Sequence, residues 1–517
     1  MTVRDRFAPS PTGFLHIGGV RTALFNWLFA RRHGGQYLLR IDDTDQERNV
    51  EAALAPILHG FRWLGVEWDE GPEVGGPHAP YFQSKRGARY QVAVDTLLSS
   101  GHAYRDYARP EEMDAERKAA EAEKRQFQYS RRWMAKSDED RARFEGEGRK
   151  WVVRLKMPRE GKLVLSDLVR GDVEFAWVEE ADHVIQRGDG SFIYHLASVV
   201  DDFDFAITHV IRAEEHLSNT PRQVFIVQAL GHPLPAYAHL PVVAEPGSKR
   251  KLSKRKLEQY LKNPDFKKVH DHGTQIATAM KLPVAAETFN PVIVDFYEQV
   301  GYLPDAIVNY LLLLGWSFDD KTEFFTRDEM VQRFSLERVQ KAPASFDPAK
   351  LLAFQTHYMQ QVPLDEKVRR VRPFVERAGL VADDDKLRRI VEALGDRIKV
   401  FGDILIQGAY FFGDEVPSWD DKAFQKRVMA PGAVDKLAAY RDWLGGRAAF
   451  DSPSLERDTQ AWLGERGWAL GDIVHAVRVA VTGVGGGPGL FDCLALIGRE
   501  GSVRRIERAI ARARPAA

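Results

Sequence analysis

A single cysteine, Cys493, is all that this 517-residue chain offers in thiols. That excludes an internal disulfide framework and any zinc site built on clustered thiolates. Cys493 lies in the apolar run 491–497, a setting for burial more than for reactivity. An excess of one charge is missing as well. With 73 basic and 74 acidic residues the formal net charge is −1, so there is no overall basic field, and any contact with nucleic acid must use local patches. No run of about 18 apolar residues occurs, and the charged residues at 1–7 have no apolar stretch behind them, so a membrane span or secretory leader is not expected. The expected location is the cytoplasm. Repeats of fixed period and long low-complexity linkers are also missing, which excludes a solenoid. What remains is an ordinary globular composition, 44% hydrophobic and 28% charged, in a chain long enough for three or more domains.

The residues that are present form an ordered opening. Positions 3–7 read as a short strand, 8–19 as a Pro/Gly turn segment, and Val20, Ala23, Leu24, Trp27 and Leu28 recur at helical spacing until Gly34-Gly35 stops the helix before a β-rich run at 36–41. Strand, glycine-containing turn, helix and strand predict a parallel nucleotide-binding sheet, with its ligand beyond the strand ends at a helix N-terminus. Charges of both signs crowd residues 105–150 on helix-forming positions, while 151–156 and 175–178 read as strands, predicting an inserted α/β module. From about residue 348 the pattern is almost wholly helical, as in Leu387, Ile390, Val391 and Leu394.

Two segments carry chemistry. In the first, residues 6–19, His16 stands where the sheet meets the helix, beside Gly18 and Gly19. There a histidine can donate to a phosphate oxygen, and the glycines remove side chains that would block its approach. The second, Lys249-Arg250-Lys251-Leu252-Ser253-Lys254-Arg255, puts five cations in seven positions. Taken singly, a turn histidine is usually structural and a charge run usually a solvated face.

Together they resemble the class I aminoacyl-tRNA synthetases, with a His-Ile-Gly-His-like turn at 16–19 and a Lys-Met-Ser-Lys-Ser-like loop at 251–255. The resemblance narrows to bacterial-type glutamyl-tRNA synthetases through Arg40-Ile41-Asp42-Asp43-Thr44-Asp45, Tyr194-His195-Leu196-Ala197-Ser198-Val199-Val200-Asp201-Asp202, Val210-Ile211-Arg212-Ala213-Glu214-Glu215, Gly301-Tyr302-Leu303-Pro304 and Pro488-Gly489-Leu490-Phe491. It spans nearly the whole chain.

The resemblance implies an α/β fold: a split Rossmann-like parallel sheet with an inserted acceptor-stem module, followed by an all-α anticodon-binding half. The implied division is 1–84 and 194–246 for the two catalytic halves, 85–193 for the inserted module, 247–347 for a connecting domain with an insertion near 256–300, and 348–517 for the helical anticodon-binding domains. The shorter tRNA-modifying paralogue of the family lacks such a half, and glutaminyl enzymes read the anticodon with β-barrels. The implied activity is ATP-dependent activation of L-glutamate and its transfer to the terminal adenosine of tRNA-Glu, by a monomer. His16, Gly18, Lys251 and Lys254 would be catalytic; with Gly19 and Ser253 they would bind ATP, whose Mg2+ is held mainly by phosphates and water. Arg6 and Tyr194 would face the side-chain carboxylate of glutamate and Arg212 its α-carboxylate, with Ala8, Ser10, Asp42 and Ser198 completing the pocket. Asp45, Arg48 and Arg397 would touch tRNA, Arg397 at the third anticodon base.

Three departures stand against the family pattern. Relatives usually have Glu at the position of Asp42 and Asn at that of Ser198, which leaves the ammonium contact open between a direct and a water-bridged one. Many relatives hold zinc with cysteines in the inserted module, but Tyr104-Arg105-Asp106-Tyr107 and Tyr129-Ser130-Arg131 contain none, so no zinc is expected. Finally, 45 residues, 256–300, separate the cationic loop from Gly301, where relatives use about a dozen; a lid, an RNA contact and a solvated elaboration are all open readings.

Overall fold

The computed structural model describes residues 2–11, 13–44, 54–124 and 127–514. Asp45 and Arg48 lie outside the described residues. The chain forms two compact units, one of Met1–Asn263, Asn290–Asp295 and Pro304–Pro348, the other of Pro264–Phe289, Phe296–Leu303 and Ala349–Ala517.

Unit one opens as its sequence predicts. β1 (Arg4–Phe7) and β2 (Gln36–Leu39) pair in parallel, in a register running from Arg4 opposite Gln36 to Phe7 opposite Leu39, and α1 (Ile17–Arg32) is the crossover between them. A Cβ on Gly35 would lie 2.2 Å from the Val3 carbonyl oxygen, so the chain can turn from α1 into β2 only with glycine there. Next come β3 (Ala103–Asp106), β4 (Val152–Leu155), β5 (Lys162–Asp167), β6 (Gly171–Ala176), β7 (Val184–Gln186), α2 (Tyr194–Asp204), β8 (His209–Ala213) and β9 (Ala236–Leu240). β3, β4 and β7 make an antiparallel sheet, whereas β8 and β9 run parallel in the order β6-β5-β9-β8. The Thr208 N–H donates to the Arg4 carbonyl at 2.8 Å and ties the start of β8 to β1. Arg6 and Phe7 therefore end one strand beside Arg212 and Ala213 at the end of another. Leu38, Val94, Leu155, Leu196, Val210 and Ile226, all at 0–1% exposure, fuse these sheets and α2 into one core; burying each such side chain stabilises the fold by about 1.5–3 kcal/mol.

One core position is polar. Asp5 on β1 is fully buried and neither carboxylate oxygen has a hydrogen-bond partner among the described residues. Burial, only partly offset by Arg6 and Arg31, pushes its pKa well above the usual carboxylate range. The folded state thus keeps a proton that the unfolded chain has already lost, and stability falls as pH rises above about 4 until the folded pKa is passed. Asp5→Asn removes that titration at constant shape. It is expected to leave stability at pH 4 nearly unchanged and to raise it, relative to the parent, by about 1.4 kcal/mol per pH unit across that window, as urea unfolding at a series of pH values would show. Parallel curves for the two proteins would refute the account.

Unit two is helical, as expected from residue 348 onward. α3 (Pro264–Ala279) buries Phe266, Val269, Gly273 and Ile276. α4 (Asp384–Leu394) is capped by Asp383, whose carboxylate accepts the Lys386 N–H at 2.7 Å, and buries Leu387, Ile390, Val391 and Leu394. A second core gathers Leu437, Tyr440, Trp462, Val477, Leu494 and Ile506. Residues 264–289, placed by sequence in a connecting domain, group with this unit because the apolar stripe of α3 packs there. No helix among the described residues is long and apolar enough to cross a membrane.

Candidate active site

The carboxyl ends of β1 and β8 and the N-terminus of α1 open into a cleft of about 620 Å³. Its walls include Arg6, Ala8, Ser10, His16, Gly18, Gly19, Asp42, Tyr194, Arg212, Lys251, Ser253 and Lys254, so most of the sequence-derived candidates meet in one place. Ser198 does not line it. That residue is buried, and its Oγ accepts from Arg40 Nη2 at 3.2 Å. Arg397 is exposed in unit two, at the end of a short turn, Gly395–Arg397.

At one end of the cleft His16 is the N-cap of α1, and its Nδ1 accepts the Gly18 N–H at 2.9 Å. Burial, then the nearby charges of Lys251 and Lys254, push its pKa down to about 4. The imidazole is therefore neutral near pH 7, and because Nδ1 accepts, the proton sits on Nε2. That Nε2 is buried without a partner among the described residues, a donor at a helix N-terminus where an anion is favoured. Facing it, the Lys254 ammonium lies over Gly13, whose φ is +126° and on which a Cβ would be only 2.6 Å from Nζ. The cationic loop is held in place by Asn290, whose amide donates to the Lys254 carbonyl at 3.0 Å while its Oδ1 accepts the Val292 N–H at 3.0 Å. Val292 in turn accepts the Ile17 N–H at 3.0 Å. The tail of the long segment after the loop thus braces both signatures, a role that loop length alone does not reveal. Lys251 is more exposed and pairs with Glu215 at 2.5 Å.

The other end is a wall of guanidinium groups. Arg6 spans Asp202 through Nε and Nη2 at 2.9 and 3.0 Å, leaving Nη1 as the nitrogen with no protein partner among the described residues. Arg40 ties Asp202 at 2.6 Å to Asp42 at 2.7 Å. Burial raises the Asp42 pKa, an effect that Arg40 opposes. Arg212 is fixed on three sides, by His239 at 3.1 Å, Gln223 at 2.6 Å and Thr220 at 2.9 Å. Asp167 lies 2.6 Å from His239 Nδ1, so the proton is on that nitrogen and Nε2 is the acceptor for Arg212. Sequence reasoning did not assign roles to Arg40, Asp202, Glu215 or His216, all of which bear on this cleft. For Arg40, Asp202 and Glu215 the one signal was membership in the recognised motifs; His216 follows the motif at 210–215 and had none. His216 has its pKa pushed down to about 4 by burial and then by Arg212, so it too faces the cleft uncharged.

The arrangement can receive a phosphate chain at the His16 and Lys254 end and carboxylates at the Arg6 and Arg212 end. The chain is also similar to known proteins. Residues 2–283 and 288–353 match the family described as tRNA synthetases class I (E and Q), catalytic domain, and residues 366–510 match the anticodon binding domain. The chain is 41% identical over 513 residues to the glutamate–tRNA ligase of Moorella thermoacetica, covering 98% of each, and 42% identical over 511 residues to glutamate–tRNA ligase 1 of Caldanaerobacter subterraneus, covering 98% of this chain and 97% of that one. Among solved structures, a glutamate tRNA ligase from Elizabethkingia meningosepticum in complex with its amino acid superposes with a TM-score of 0.85 at 31% identity, over 99% of this chain and 100% of that one.

Proposed function

The chain belongs to the glutamate–tRNA ligases of the class I tRNA synthetase family, and from that premise we propose how its cleft performs ATP-dependent joining of glutamate to tRNA. The observation that carries this reading is that a single cleft is lined both by His16 and Lys254 and by Arg6 and Arg212. ATP, entering as its magnesium complex, lies with its phosphates between His16 Nε2 and Lys254. Glutamate places its side-chain carboxylate against Arg6 and Tyr194 and its α-carboxylate toward Arg212. The α-carboxylate attacks the α-phosphorus, pyrophosphate leaves, and the charge growing on the phosphates is met by donors already in place rather than by a proton shuttle. Glutamine is rejected because its amide NH2 would set donors against guanidinium donors. The terminal adenosine hydroxyl of the tRNA then attacks the adenylate carbonyl and releases AMP. Asp42 and Ser10 receive the ammonium; Ser198 acts only by orienting Arg40. The domain division drawn from sequence belongs to this reading, as do a monomeric enzyme and a cytoplasmic location.

ATP–pyrophosphate exchange driven by glutamate but not glutamine, assayed with and without tRNA, tests the assignment; exchange driven equally by both amino acids would sink it. Arg397 is proposed to read the third anticodon base, because its donors suit the acceptor edge of cytosine and a guanine would be bulkier and present a different edge. The enzyme is expected to charge tRNA-Glu and nearly ignore tRNA-Gln, and Arg397→Gln is expected to narrow the gap by about 1–3 kcal/mol. Equal charging of the two tRNAs by the unaltered protein would defeat this part of the reading.

A further inference from the structure

The long segment after the cationic loop supplies, in α3, a helix with no part in the chemistry above. Its packing shows what it supports. A Cβ on Gly273 would lie 2.6 Å from the Phe296 ring, so the helix sits close against residues 296–300. A Cβ on Gly402 would lie 2.5 Å from Ile276 of α3 and 2.7 Å from the Val300 carbonyl, so the backbone just beyond Arg397 is pressed against the same helix. On the polar edge of α3, His272 Nε2 lies 2.6 Å from Asp403 Oδ1. An ionised carboxylate only accepts, so Nε2 is the donor. The other Asp403 oxygen accepts the N–H groups of Lys399 at 2.8 Å and Val400 at 3.0 Å. Asp403 is 2% exposed; this is a buried link, and removing its donor would leave a buried oxygen unsatisfied. Gln355 Nε2 and the Gly301 carbonyl hold the same stretch, through the Lys399 carbonyl at 2.8 Å and the Phe401 N–H at 3.0 Å. Apart from the approach of Gly273 to Phe296, each of these contacts falls on residues 399–403, two to six positions after Arg397.

We propose that α3 is a positioning element for anticodon reading: His272, acting through Asp403, holds residues 398–403 in the conformation that presents Arg397. The inference rests on the assignment of Arg397 made above. His272 itself touches no substrate; it is a positioning residue, and its loss acts on tRNA selection and not on the adenylation chemistry.

Steady-state charging by the full chain tests this. His272→Ala is expected to raise the KM for tRNA-Glu about fivefold or more and to narrow the preference over tRNA-Gln, with kcat and the KM values for glutamate and ATP within about twofold of the parent. His272→Gln, whose amide can still donate to Asp403, is expected to restore most of the loss. His272→Asn, polar but too short to reach, replaces the alanine variant if that protein does not fold. In the double variant with Arg397→Gln, the His272→Ala effect is expected to disappear, since both act on one contact. A parental KM for tRNA-Glu in a folded variant, equal rises for glutamate and ATP, or additive effects in the double variant would each overturn the proposal. Arg397→Gln that alone leaves tRNA preference unchanged overturns instead the assignment beneath it.

Discussion

Lys254→Ala is expected to lower the rate of glutamyl-adenylate formation by about two orders of magnitude or more while leaving the fold intact. The ammonium lies over Gly13 and across the cleft from the His16 donor, and burial, then Arg255, lowers its pKa from the ordinary lysine value. A partly desolvated cation interacts more strongly with charge that develops in the transition state than with the ground state. The loss should therefore appear in kcat more than in the KM for ATP. Lys251, exposed and paired with Glu215, is better screened, and its alanine variant is expected to lose less. Single-turnover adenylation alongside thermal melting separates these outcomes. A Lys254→Ala protein with the parental rate would remove this lysine from the mechanism.

Much of this cleft was legible because residues of two short motifs, 16–19 and 251–255, line part of it, and the β1-α1-β2 opening follows from hydrophobic periodicity and Gly34-Gly35. What was not legible depends on partners distant in sequence. Arg6, Arg40 and Asp202 form one network across residues 6–202, and Asp167 orients Arg212 through His239 across residues 167–239; neither spacing carries a local signature. Ser198 resembled a pocket residue by its place in the motif, whereas on α2 its hydroxyl accepts from Arg40, which lines the cleft that Ser198 itself does not line. The segment at 256–300 divides between two tasks that length alone could not separate. Its tail, Asn290 to Val294, braces the two signatures, while α3 packs in unit two. The apolar spacing of Phe266, Val269 and Ile276, with Gly273 between them, was the available sign that α3 is a packed helix and not a solvated loop.

Arg6→Lys keeps the charge and discards the geometry, and it is expected to reduce kcat/KM for glutamate about tenfold or more. Two of the arginine's nitrogens already fork onto Asp202, so the part left to meet glutamate is one terminal nitrogen, aimed by that fork. Burial drives the Asp202 pKa upward, but Arg6 and Arg40 outweigh it and hold the carboxyl below its usual range, so Asp202 remains a fixed anion against which both arginines are set. A lysine cannot span both Asp202 oxygens and reach a ligand at once. It would either stay on Asp202 and abandon the substrate, or turn to the substrate and leave a largely buried carboxylate short of a donor. Either outcome weakens glutamate more than it weakens glutamine, because a neutral amide oxygen gains less from the guanidinium than a carboxylate does, so the preference between the two should narrow as the glutamate KM rises. Adenylation kinetics with both amino acids at saturating ATP read this directly. Unchanged constants for both would mean that Arg6 does not face the substrate and that the carboxylate end of the cleft has been placed on the wrong residues.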